Sequence, residues 1–400
     1  MEKKRNGPGK LPTRGEVMAK FFAKWQAPAK VEAVGTAQAY GRVLAEDVVA
    51  LVDKPVYRAS RMDGVAVKSA AFKDGIPDAT GWVHGKDWTR ADTGDDFPDE
   101  YDAVFAIEKV EVLPGGGLKF DPEVELPVEP GYGVSSQGSM FKKGTLVGKK
   151  GTTLNACDIS AIAMGAVDTV SVYVKPKVAF IPTGSELVPL GTIPGRGQSV
   201  DSNSLMADAM LREMGAEPLI YPIVKDNRAE LEKLLDDALA KADVVVFSAG
   251  TSKGEEDYCH VLLENRGELF CHGVSSAPGR PLSLALVDGK PVVNVAGPPV
   301  GCFNGLDWCV HPIVSAYLGV KPTPRHTVKA KLGEPIVMRG GSFELYIRLD
   351  LEKTDDGYVA HPIALGERPA TDGLRARGLY ITRLQPEPTG AGDVIEVELI

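Results

Sequence analysis

The chain reads as a multidomain α/β plus β protein, with a doubly wound α/β domain flanked by segments built mainly from short strands. Three observations predict this class. Its 400 residues exceed what one core ordinarily serves, so two to four domains are expected. Between Lys177 and Val295, apolar runs of strand length alternate with helical stretches, as βαβ units require. The 44 glycines and 29 prolines are 73 of 400 residues, about 18% against a usual ~12%, which implies many turns and a large β component.

The elements follow in order. Arg14 to Trp25 places Val17, Met18, Phe21, Phe22 and Trp25 on one helical face. A second helix is expected over Thr36 to Leu44 and a strand over Ala45 to Leu51. Val52 to Arg61 reads as loop, punctuated by Pro55. Arg61 to Val67 is a tight turn entering a strand. Short β runs at Trp82–Val83, Ala103–Ile107, Lys109–Leu113 and Leu118–Phe120 lie between Gly, Pro and Asp clusters, as in a small all-β module. Gly151 to Ala166 is helical, and Thr169 to Val174 is a strand closed by Pro176.

From Lys177 the texture changes. VAFIPTGSEL gives a buried strand, a polar loop and a helix start. Helices are expected at Ser202–Met214, Arg228–Lys241 and Asp257–Asn265. Strands are expected at Pro218–Val224, Leu269–His272 and Pro291–Val295. Val244 to Phe247, β-branched and unbroken by polar residues, predicts a strand buried on both faces of a parallel sheet. After Pro322 and Pro324, runs at Thr327–Lys331, Glu344–Glu352, Tyr358–Pro362, Gly378–Leu384 and Asp393–Ile400 read as a small β-barrel or sandwich.

Composition narrows the function. Hydrophobic content of 44% and charged content of 25% are those of a globular protein. A net charge of −9 argues against non-specific nucleic-acid binding, so an anionic ligand has to be held by loop amides and a few Lys or Arg. No apolar run approaches the ~18 residues of a membrane span. Cys157, Cys259, Cys271, Cys302 and Cys309 form no C-x-x-C pair and no zinc spacing, which points to free thiols in a reducing cytoplasm. MEKKRNGPGK has no apolar stretch behind it and reads as a frayed tail rather than a signal peptide.

Candidate chemistry gathers on the α/β segment. Glu186, Asp226 and Asp257 each follow a buried strand, and Asp201 follows a Gly-rich loop leading into a helix. Ligands of open α/β sheets sit beyond the carboxyl ends of the strands, so in a parallel sheet these acids share one edge. Singly each is explained as a helix cap; as a set they suit a divalent cation bridging to phosphate. The small-residue loop Ser248 to Gly254 brings backbone N–H groups near such a ligand. Arg280, in the rigid turn SSAPGRP, suits phosphate or oxyanion binding, or is a surface turn residue. VAGPPV leaves room for a ligand or for close packing of the following helix. Asp63, an isolated Asp-Gly, is usually just a turn.

In sequence order these pieces resemble the MoeA family, the molybdopterin molybdenumtransferases related to the gephyrin E domain. RMDGVAV resembles S-x-M-D-G-Y-A-V, and ADTGDDFPDEYDAVFAIE resembles T-G-A-x-x-P-x-G-A-D-A-V-x-x-x-E. PTGSEL is similar to S-T-G-D-E-L, DSNSLM to D-[ST]-N, and FSAGTSKGEEDY to S-G-G-V-S-x-G-x-x-D-Y. APGRP stands where K-P-G-K-P is usual, and VAGPPV where L-P-G-N-P-V is usual.

The resemblance implies four domains. They are a discontinuous N-terminal linker and dimerisation domain (11–50 and 148–175), an inserted small β domain (51–147), a molybdopterin-binding α/β domain (176–320) and a C-terminal β-barrel (321–400). It implies a cytoplasmic homodimer that takes adenylylated molybdopterin and molybdate with Mg²⁺ and releases AMP, with no nucleic acid or membrane involved. Carried over by position, Asp63, Thr93, Asp257 and Arg280 are catalytic, the first two reaching the site from the partner subunit. Glu186, Asp201 and Asp226 bind metal. Gly184, Ser248, Gly250, Ser252, Lys253, Gly254, Pro278, Gly279, Gly297 and Pro299 bind the pterin nucleotide. The chain departs from the family pattern at Ala277 (usually Lys), Pro298 (usually Asn), Met140 (usually acidic), Gln137 (often basic) and Ala249 (usually Gly). Lys253 adds a charge that offsets Ala277. A non-catalytic pterin- or nucleotide-binding carrier or regulator on the same scaffold is the alternative, and an adenylyltransferase-like activity is a third reading.

Overall fold

The computed structural model describes residues 11–225, 227–249, 258–336, 343–363, 369–382 and 389–400. The chain forms two units, Val31–Val172 and Met1–Lys30 with Tyr173–Ile400. The expected N-terminal tail lies outside the described residues. The first helix, α1 (Arg14–Lys24), starts at a capping box. Thr13 accepts from the Glu16 N–H, and the Glu16 carboxylate accepts from the Thr13 N–H.

Within Val31–Val172, strands β1 (Gly64–Val67), β2 (Trp88–Ala91) and β3 (Ala103–Ala106) form a sheet with β1 in the middle. All four residues of β1 are buried. Gly64 is demanded there by space, because a Cβ would stand 1.8 Å from the Phe105 carbonyl oxygen of β3. Phe72, Trp88, Phe105, Leu118 and Phe120 fill the module's core. A second core of Ala39, Leu44, Val48, Leu154, Ile162, Val170 and Val172 joins residues from both sides of the module. Helix α2 (Ala156–Met164) belongs to it and begins five residues later than the sequence predicts, where Asn155 accepts from the Cys157 and Asp158 N–H groups.

Three expectations fail here. Thr36 to Leu44 is not a helix but a single 3₁₀ turn, Thr36–Gln38, after which Gly41 adopts φ +71° and Val43 and Leu44 bridge to Thr153 and Val172. The strand over Ala45 to Leu51 shrinks to Val48–Val49, because its N–H groups go to several partners: Ala45 to Ser171, Ala50 to Thr145, Leu51 to Gly165. Trp82–Val83 is not a strand. The Asp87 carboxylate accepts from the Val83 N–H and closes a turn, and the strand is the following WTRA.

The second unit carries a six-stranded sheet. Its strands and helices are β4 (Lys177–Pro182), the short β5 (Leu187–Val188) and β6 (Ser199–Val200), α3 (Asn203–Glu213), β7 (Glu217–Ile220), α4 (Arg228–Lys241), β8 (Val244–Ala249), α5 (Tyr258–Arg266), β9 (Glu268–His272), β10 (Ser276–Ala277), β11 (Ser283–Val287), β12 (Lys290–Ala296), α6 (Pro299–Gly305) and α7 (His311–Tyr317). The sheet order is β7-β4-β8-β12-β11-β9; the first four strands are parallel, and the β12–β11 and β11–β9 pairings are antiparallel. Val244 to Phe247 are wholly buried at its centre, as their sequence predicts. The sequence reading missed β11, a hairpin with β12 turned at Asp288-Gly289, both at positive φ. No helix starts after PTGSE: β5 pairs with β6 instead, and Pro189 would have interrupted a helix.

Beyond the sheet, β13 (Thr327–Leu332), β14 (Glu344–Thr354), β15 (Gly357–Pro362), β16 (Gly378–Ile381) and β17 (Val394–Leu399) close a five-stranded barrel in the order β14-β15-β13-β17-β16, with β10 added alongside β14. Leu332, Leu349, Ala360, Ile395 and Val397 are in its core. The sequence left barrel and sandwich open; the pairing of β14 with β16 decides for the barrel.

Candidate functional site

A cleft of about 290 Å³ opens beyond the carboxyl ends of β4, β8 and β12, where an α/β sheet ordinarily binds its ligand. Its floor is a buried polar tie. Asn203, the first residue of α3 and only 8% exposed, donates through Nδ2 to Ser248 Oγ at 3.1 Å and to the Gly297 carbonyl at 2.7 Å. One amide thus joins a helix N-terminus, the end of β8 and the turn after β12. The Thr183 N–H donates to the Ser248 carbonyl at 3.0 Å and adds the end of β4. Cys302 of α6 lies behind Ser248, and burial pushes its thiol up to about 12.

The lip is acidic. The β5–β6 pairing sets Glu186 and Asp201 on the same cleft: the Ser199 N–H donates to the Glu186 carbonyl, and the Asp201 N–H to the Val188 carbonyl. Asp201 also accepts from the Ser204 N–H at 3.1 Å. The Glu186 carboxylate folds over Gly184, where a Cβ would meet both its oxygens at 2.8 Å and φ is +156°. Ser248, Gly297 and Pro299 line the cleft. Asp226, Gly250, Ser252, Lys253, Gly254 and Asp257 lie outside the described residues.

Pro278, Gly279 and Arg280 form a turn against α6, entered through a cis Ala277–Pro278 bond. Gly279, at φ +107°, would meet the Gly301 carbonyl at 3.2 Å if it carried a Cβ. Arg280 is exposed, with its guanidinium 5.2 Å from the Phe343 ring centroid. Nearby is a cation that the sequence reading missed. Arg348 of β14 is 3% exposed, lies 4.1 Å over the Phe303 ring and bonds no carboxylate among the described residues. Burial pulls it down to about 10. Its signal was alternation: it shares a strand face with buried Tyr346, an unusual place for an arginine.

In the unit Val31–Val172, the structure brings Asp63 and Thr93 together across the turn before β1. Asp63 Oδ1 accepts from the Thr93 N–H at 2.7 Å and from its hydroxyl at 2.8 Å. These two bonds hold the Asp63 carboxyl below its usual range, the backbone N–H contributing most. At 64% exposure, Met140 is an apolar side chain in water.

Residues 14–165 match the family described as "MoeA N-terminal region (domain I and II)", and residues 179–316 match "Probable molybdopterin binding domain". A relative from Methanocaldococcus jannaschii is 30% identical over 289 residues, covering 68% of this chain and 71% of that protein. The chain belongs to the MoeA family. A molybdopterin molybdenumtransferase of Haemophilus influenzae is 28% identical over 321 residues, covering 77% of this chain and 78% of that protein. The solved MoeA structure from Pyrococcus horikosii matches with a TM-score of 0.80 at 26% identity, covering 98% of this chain and 99% of that one. The cleft lies within the stretch matched to the probable molybdopterin binding domain, whereas Asp63 and Thr93 lie within the matched MoeA N-terminal region.

Proposed function

We infer that this chain is a molybdopterin molybdenumtransferase of molybdenum cofactor biosynthesis, inserting molybdate into adenylylated molybdopterin with release of AMP. The observation that carries this is the convergence of separate family motifs on one cleft: PTGSE, DSN, Ser248 at the end of β8 and VAGPP meet around Asn203. Relatives named for this enzyme favour it over a non-catalytic carrier.

The cleft suits the pterin nucleotide. Its hydroxyls and carboxylates offer acceptors to ring N–H groups, and no lysine or arginine lines it among the described residues. Glu186 and Asp201 are the described carboxylates that would hold Mg²⁺, with Asp226 and Asp257 the further candidates. Two carboxylates plus substrate phosphate fit that ion's ordinary donor set. Bound there, it would neutralise charge on the pyrophosphate. The molybdate dianion needs cations: Arg280 stands in the turn, and buried Arg348 is linked to it through Asn304. Arg348 supplies a second positive charge where Ala277 removes one.

The same reading makes the enzyme a cytoplasmic homodimer in which Asp63 and Thr93 complete the partner's site. No described helix is long and apolar enough to cross a membrane. It divides the chain into the four domains given above; the separate module core and the core joining residues 39–48 to 154–172 support that division within 31–172, whereas residues 11–30 fall in the unit that holds the α/β domain. Asp257→Ala and Glu186→Ala are expected to abolish AMP release while leaving the circular dichroism spectrum unchanged. Full turnover in either variant would remove that residue from the mechanism.

A further inference from the structure

Asn304 is fully buried in the body of α6, an amide where an aliphatic side chain would pack at lower desolvation cost. Its Nδ2 donates to the Pro278 carbonyl at 2.9 Å, and its Oδ1 faces Arg348 Nη2 at 3.5 Å. Pro278 stands two residues before Arg280 in the turn. The remaining supports of that turn are backbone pairing and close packing. Ser276 and Ala277 pair with Glu344 and Leu345 of β14, and Gly279 abuts Gly301. Arg348 has few other restraints: it rests on Phe303, its Nε has no partner, and Asp307 is already ion-paired with Arg325. Asn304 is therefore the side chain that connects the Arg280 turn with the buried Arg348 guanidinium.

We propose that Asn304 is a positioning residue for oxyanion capture, holding the Arg280 turn and the Arg348 guanidinium in one arrangement without touching substrate. This rests on the reading of those two arginines as the molybdate side of the site. Leaving an amide contact unmade frees the Pro278 carbonyl and lets the guanidinium swing on its Phe303 support. The pterin cleft is tied through Asn203 and Ser248, and the bonds of Asn304 go to Pro278 and Arg348 instead.

The test compares wild type with Asn304→Ala, using AMP release at varied molybdate, calorimetric binding of molybdate alone, and calorimetric binding of AMP. The variant is expected to show about a tenfold higher KM for molybdate, a kcat within twofold at saturating molybdate, and an AMP Kd within twofold; one such contact to a charged group corresponds to roughly that factor. Asn304→Ser, smaller but polar, supplies the same comparison if the alanine variant does not fold. An unchanged molybdate KM and Kd overturns the proposal, as does equal weakening of molybdate and AMP, which would make Asn304 a general packing residue. If the wild type binds molybdate but releases no AMP, the transferase reading fails while the binding comparison still decides the role of Asn304. Wild-type protein that binds no molybdate defeats both.

Discussion

The α/β cleft and the Asp63–Thr93 corner hold their acids by opposite means. In the cleft, Glu186 and Asp201 stand on backbone pairing at the lip, and the geometry beneath them is set by Asn203, an almost fully buried amide. At the corner, the carboxylate itself is the restrained group, exposed and gripped by one threonine. Precision in the first region comes from a polar tie removed from water, where each bond is costly to lose. In the second it comes from local bonds that water can replace. Disturbing the first should therefore cost stability and binding together, and disturbing the second should change chemistry alone.

The largest expected effect cuts across that contrast. Gly64→Ala drives a Cβ into the Phe105 carbonyl and should destabilise the module by about 3 kcal/mol, read as a loss of denaturant midpoint. Asn203→Ala comes next. Removing a buried donor with two partners should cost about 2 kcal/mol and weaken AMP binding more than tenfold; unaltered AMP affinity would break the comparison. Thr93→Ala is milder. The native bonds favour ionised Asp63, so their stabilisation is complete above the ordinary carboxylate range and is lost as pH falls through the lowered folded value. The variant keeps the N–H but loses the hydroxyl, so the Asp63 titration followed by carboxyl NMR should move part-way upward. The smallest effect lies in the barrel. Glu334, and to a lesser degree Glu352, raises His361. Its contribution is present below the unfolded imidazole value and fades as pH rises through the raised one. Wild-type melting temperature should therefore drop slightly relative to His361→Gln between pH 6 and pH 8.

Much of this was legible before the fold was known. Val244 to Phe247, Arg228 to Lys241 and the barrel strands announced themselves because period and composition agree there. Glu186, Ser248 and Gly297 drew attention because they stand at or just after the ends of buried strands. What escaped depends on distant partners. Thr36 to Leu44 has helix-compatible residues, yet its groups are claimed by Thr153 and Val172 more than a hundred positions away. Strand β11 was hidden although Asp288-Gly289 is a plain hairpin signal. Asn203 stood in a motif without a role, and Arg348 and Asn304 acquire meaning only when the barrel strand meets α6. Motifs reported the acids and the turn; the buried groups that hold them in place were invisible without tertiary contacts.

The central claim is that this chain still performs the transfer despite Ala277 and Pro298. The most direct measurement is AMP release from adenylylated molybdopterin with Mg²⁺, in the presence and absence of molybdate. The account predicts molybdate-stimulated release that is lost in Arg280→Ala and in Arg348→Met. Tight binding of the pterin nucleotide with no release under either condition would contradict it and leave a binding protein on a transferase scaffold.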